Sequence, residues 1–259
     1  MNIIVCIKQV PDTTQVRINP ETNTLIREGV QSIINPFDMY AIEEGVRLKE
    51  RFGGKTTVIT MGPPQAEAAL REAISLGCDD AVLVSDRAFA GSDTLATGYT
   101  LSMTIKKIKD FDIIVCGKQA SDGDTAQVGP GIAAHLDIAQ VTCVRKIDEF
   151  KDNQLTVERM TEEGFEIIKT RLPCLMTVVK EINSPRIPSL KGKMRAKSAV
   201  IPTWKGKDIE AQEEHLGLIG SPTQVVKIFT PPPRPKGQIF EGDAEDSASK
   251  LVGILKGIL

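Results

Sequence analysis

Apolar positions over the first 140 residues fall into two alternating patterns. Ile3-Ile4-Val5-Cys6-Ile7 is a continuous apolar run, and residues 56–61 (TTVITM), 81–84 (AVLV) and 113–116 (IIVC) repeat its character. Such runs predict strands buried on both faces. Between them lie helical patterns. Residues 37–52 set Met39, Ile42 and Val46 beside Ala41, Gly45, Leu48 and Phe52 in one wide stripe. Residues 64–76 open on a proline and stop at Gly77, as a helix does. Residues 93–109 gather Leu95, Gly98, Leu101, Ile105 and Ile108 on one face, with Asp93 as cap and Lys106, Lys107 and Lys109 at the end. Alternation of this kind predicts an α/β fold, a Rossmann-like, doubly wound, mostly parallel sheet with right-handed crossovers.

Two stretches depart from that rhythm. Residues 20–24 (PETNT) separate short β-like runs at 16–18 and 24–26, which predicts a hairpin inserted after the first strand. Beyond residue 138 the segments 141–147, 155–159, 165–170 and 175–179 alternate as strands of an antiparallel extension.

In an open doubly wound sheet, ligands bind beyond the carboxyl ends of the strands, where the strand order reverses. With an order 3-2-1-4-5 the reversal falls between strands one and four. Strand four runs into Gly117-Lys118-Gln119-Ala120-Ser121-Asp122-Gly123-Asp124-Thr125-Ala126-Gln127-Val128, a polar loop ahead of a helix with Pro130 in its first turn. A helix start aimed at the crevice attracts anions. Lys118 adds charge, the Gln, Ser and Thr side chains add donors, and Asp122 and Asp124 suit ribose hydroxyls or a ring N–H. A long, well-capped polar turn has the same pattern. Neither a dinucleotide nor an NTP fingerprint is present. Asn35-Pro36-Phe37-Asp38 and the segment starting at Met61 reach the same edge.

Composition removes several chemistries. Five scattered cysteines without a C-x-x-C, and two histidines, leave little for a metal or a protein-based redox centre. No apolar run approaches the ~18 residues of a membrane helix. The N-terminus does not read as a signal peptide, so a cytoplasmic location is expected. The net charge of −2 conceals an asymmetry, because residues 182–207 hold seven Lys/Arg and no acid. That segment lacks the aromatics of a single-strand binder, so nucleic acid is not the expected partner.

Together these residues resemble the electron transfer flavoprotein β subunits. The likeness runs from residues 3–12 through 35–38, 41–49 and the Gly117-Lys118-Gln119-Ala120 loop to Leu172-Pro173, Pro185-Arg186 and residues 194–197. It implies a heterodimer with an FAD-carrying α subunit and an adenine nucleotide in the β crevice. By position the nucleotide contacts are Cys6, Asn35, Pro36, Phe37, Asp38, Met61 and each of residues 117–128. The nucleotide is AMP in ordinary members and a second FAD in flavin-bifurcating ones. Ser121 and Gly123, smaller than the residues of the AMP type, and the segment at 91–97 with Thr94 and Thr97 resemble the bifurcating group. That likeness implies NADH as electron donor, ferredoxin or flavodoxin as low-potential acceptor, and an acyl-CoA dehydrogenase reached through the α subunit. No side chain is expected to act as acid, base or nucleophile, and activity is expected only within the complex. The alternatives are a β subunit with structural AMP and a freestanding adenine-nucleotide regulator.

The remaining expectations concern the tail. The chain is divided into a nucleotide domain (1–180), a basic recognition loop (181–200) and a C-terminal arm packing on the α subunit (201–259). By resemblance Leu190 anchors the dehydrogenase, with Lys191, Lys193, Met194 and Arg195 around it. Residues 231–235 (PPPRP) predict a stiff linker, and Leu251, Val252, Leu255, Ile258 and Leu259 line one face of a terminal helix.

Overall fold

The computed structural model describes residues 1–12, 32–226 and 237–257. The chain opens with β1 (Asn2–Cys6), followed by β2 (Gln9–Pro11) and β3 (Ser32–Ile34), which pair antiparallel. The expected hairpin strands at 16–18 and 24–26 lie outside the described residues. Then come α1 (Pro36–Phe52), β4 (Lys55–Met61), α2 (Glu67–Leu76), β5 (Asp80–Val84), α3 (Thr94–Ile108), β6 (Ile113–Gly117) and α4 (Val128–Leu136). The last part holds β7 (Ala139–Lys151), β8 (Gln154–Met160), β9 (Phe165–Arg171), β10 (Cys174–Val178), α5 (Leu190–Ser198), β11 (Thr203–Trp204) and α6 (Ala244–Lys256).

Nine strands form one sheet in the order β11-β5-β4-β1-β6-β10-β7-β8-β9. Every pair from β11 to β7 is parallel, and β8 and β9 continue the sheet antiparallel. The run at 175–179 is thus not part of the antiparallel extension. β10 slips between β6 and β7, parallel to both, and its five residues are all buried. A buried and mostly apolar run looks the same whichever neighbours it takes.

Side chains alternate across β1, which explains the two cores. Ile3, Val5 and Ile7 pack with residues of α1 and α2, whereas Ile4 and Cys6 pack with residues of α3 and α4. Burying each such aliphatic side chain contributes about 1.5–3 kcal/mol. The chain after α5 returns to this framework. Trp204 pairs beside Val84 of β5, and Ile209 and Leu216 are buried in the core under α3 and α4.

Candidate functional site

The strand order reverses between β1 and β6, so the crevice lies where those two strands end. Cys6 and Cys116 stand side by side there as register partners. The Cys6 thiol, by hydrogen bonding, and then burial hold the Cys116 thiol well above its ordinary pKa, so Cys116 stays protonated. Lys8, in the segment that leaves β1 at this edge, is not among the expected nucleotide contacts. Its N–H donates to Asp38 Oδ2 at 2.7 Å, and its Nζ reaches Asp122 Oδ1 at 2.6 Å.

Asn35 joins the two sides of the crevice. Pro36 keeps it extended, at φ −51° and ψ 130°, rather than helical. From there its Nδ2 donates to Gln119 O at 2.8 Å and to Asp38 Oδ1 at 3.0 Å, and its Oδ1 accepts from Ser121 N at 3.0 Å. Asn35 thus braces the 117–128 loop from 84 and 86 positions away, a role no local pattern signals. Asp38 is buried beneath it. Burial raises its carboxyl to about 7, despite hydrogen bonds from Asn35 and from the Lys8 and Gly117 N–H groups that act the other way. Gly117 makes this closeness feasible, since a Cβ there would lie 2.2 Å from Asp38 Oδ1.

Past Gly117 and Lys118 the loop opens to solvent. Ser121, Asp122, Gly123, Asp124, Thr125 and Gln127 are exposed, and Ala126 is half-buried. Asp124 and Ala126 take left-handed backbone, at φ 51° and 55°, which costs non-glycine residues about 1–2 kcal/mol each. Asp124 N–H donates to Ala120 O at 2.9 Å, and the Gln119 amide donates to the Asp124 carboxylate, which holds the shape. The loop delivers the chain to α4, whose start carries no side-chain cap. Its first amides therefore suit an anionic group.

Met61 ends β4 at the same edge, and α3 begins there with Thr94 and Thr97, both half-buried. Gly98 of α3 faces Gly131 of α4, so the two helix starts are neighbours. Asp93 caps α3 as expected, accepting from Leu95 N and Ala96 N.

The basic segment lies elsewhere, on α2. Gly192 lets α5 approach closely, since a Cβ there would stand 2.1 Å from Ser75 O. Leu190 and Met194 project outward, 77% and 67% exposed. Lys191 and Lys193 are exposed, but the Arg195 guanidinium turns inward to Ile74 O at 2.8 Å and to Cys78 O at 2.5 Å.

The electron transfer flavoprotein domain profile matches residues 22–209. The chain is 54% identical to an electron transfer flavoprotein subunit beta of Thermoanaerobacterium thermosaccharolyticum, covering 97% of this chain and 96% of that one. It is 51% identical to Protein FixA of Azotobacter vinelandii, over 95% and 90% of the two chains. It is 48% identical to the caffeyl-CoA reductase–Etf complex subunit CarD of Acetobacterium woodii, over 99% and 98%. With the doubly wound sheet and its braced loop, likeness at this level over nearly the whole length means that the chain belongs to the electron transfer flavoprotein family, among its β subunits.

Proposed function

We propose that this β subunit pairs with an electron transfer flavoprotein α subunit, holds FAD in the crevice between β1 and β6, and serves flavin-based electron bifurcation. One observation supports the choice of FAD. Gly123 stands in the exposed middle of the loop with nothing within 4 Å of where its Cβ would lie, so the loop itself leaves a ring system unobstructed. The loop leads into the uncapped start of α4, and α4 packs beside α3, whose first turn bears Thr94 and Thr97. The relative from a caffeyl-CoA reductase–Etf complex supports the same reading.

FAD in this place supplies the exchange between a two-electron donor, NADH, and one-electron acceptors. The chain's own residues bind and orient. The α4 amides and Lys118 would hold phosphate charge, Asp122 and Asp124 would offer acceptors to ribose hydroxyls, and Thr94 and Thr97 would offer hydroxyls to the ring. Asn35, Asp38 and Lys8 keep the loop at its working distance from β1. The acceptors for such a group would be ferredoxin or flavodoxin and, through the α subunit, an acyl-CoA dehydrogenase, for which Leu190 and its basic neighbours would form the docking surface.

Co-purification with the α subunit and a count of bound groups tests this. Two FAD and no AMP per heterodimer is the expected result. One FAD with one AMP would make the subunit a non-bifurcating carrier. Nucleotide bound without any α partner would point to a freestanding regulator.

A further inference from the structure

The return of the chain after β11 ends on the helix that starts at the crevice. The Ser221 hydroxyl donates to Gly217 O at 2.6 Å and accepts the Asp93 N–H at 2.8 Å. Two residues on, Thr223 donates its N–H at 3.1 Å and its hydroxyl at 2.8 Å, both to Asp93 Oδ2. The other oxygen, Oδ1, caps α3 through Leu95 N at 2.9 Å and Ala96 N at 3.1 Å. A helix cap needs one acceptor oxygen, and asparagine serves there as well as aspartate. The second oxygen is committed to the C-terminal segment instead. Upstream of it Leu216 is buried in the core, and Leu218 lies against Gly91, just before Asp93.

We propose that Asp93 is a positioning residue that ties the start of α3, at the nucleotide crevice, to the C-terminal segment at Thr223. Thr223 stands 20 positions before Asp243, the cap of α6. The seat of the C-terminal arm and the retention of the β-site nucleotide are then linked through one carboxylate. The inference rests on the proposed nucleotide site at this edge and adds to it a residue that acts through α3 rather than on the ligand.

The test uses the heterodimer carrying Asp93→Asn, Thr223→Val or Thr223→Ser, with FAD and AMP as separate probes and dissociation of each followed after dilution. Asp93→Asn keeps the cap but presents an amide donor to the Thr223 N–H. Thr223→Val removes the hydroxyl. Both are expected to speed nucleotide release by about fivefold or more, within the usual range of coupling between sites, at an unchanged melting temperature. Thr223→Ser is expected to restore the unmutated rate. The double variant is expected to be no worse than either single one, because both break one link. Unmutated release rates in Asp93→Asn and Thr223→Val would overturn the proposal, as would a loss in Asp93→Asn alone. An unmutated heterodimer that retains neither probe would overturn the proposed function itself, and this inference with it.

Discussion

Gly117 leaves no room for a methyl group between β6 and the start of α1. A Cβ would meet Asp38 Oδ1 at 2.2 Å and the Phe37 carbonyl carbon at 2.8 Å. Gly117→Ala is expected to cost about 1–3 kcal/mol of stability, as overpacking does, and to displace the loop. Chemical denaturation and nucleotide titration would both register it, and an unchanged midpoint would mean that α1 gives way freely. Asp38 has a pH signature. Its folded-state pKa of about 7 lies above the ordinary aspartate value of 3.8. Between those values the folded chain binds more protons than the unfolded one, so this group's contribution to stability declines as pH rises from about 4 to 7. The slope reaches at most about 1.4 kcal/mol per pH unit. Asp38→Asn is expected to flatten the stability profile in that window, and an identical profile would show that Asp38 titrates normally. That the segment 35–38 reaches the crevice edge is legible in the sequence. The burial of the Asp38 carboxylate is not, because the groups that meet it include Lys8, just past β1, and Gly117 of β6.

At the scale of elements, α5 and the segment before it are held by half-buried and exposed contacts to α1 and α2 while Leu190 projects outward. Arg186 donates to Glu43 Oε2 at 2.8 Å and to Glu50 Oε1 at 2.6 Å, tying the approach to α5 onto α1. Arg71 reaches from α2 to Ala196 O at 2.7 Å. Leu190 takes no part in this network. Leu190→Ala should therefore leave stability within about 0.5 kcal/mol. It should slow electron delivery to the dehydrogenase about tenfold, as loss of an interface anchor does, with NADH oxidation by an artificial acceptor intact. Loss of both activities would remove the docking role. The basic character of 182–207 was plain from the sequence. The division of labour within it was not, since which cation finds carbonyls to bond, as Arg195 does at Ile74 and Cys78, depends on what lies beneath it.

At the scale of the whole molecule, α6 buries none of its residues among the described chain, and Leu251, Val252, Ile254 and Leu255 are all 40% exposed or more. Asp243 nonetheless caps it, through Glu245 N and Asp246 N. Removing residues 237–259 is expected to leave the melting temperature of this chain unchanged while weakening its heterodimer at least about 100-fold, readable as dissociation on dilution. A lower melting temperature of the chain alone would show that α6 belongs to this domain instead. Local pattern by itself determined β1, β4, β5 and β6, the helices between them, the cap at Asp93, the polar loop at 117–128 and the basic segment, because each depends on periodicity and neighbours in sequence. It also located the reversal of strand order between β1 and β6, because βαβ crossovers have one hand and a doubly wound order reverses at one point. The tertiary structure alone decided that β10 sits between β6 and β7, that Asn35 braces the distant loop, and that Thr223 shares the carboxylate capping α3. Each of these joins groups dozens of residues apart, and their pairing depends on which surfaces the packed sheet brings within hydrogen-bond reach, which hydrophobic periodicity does not encode.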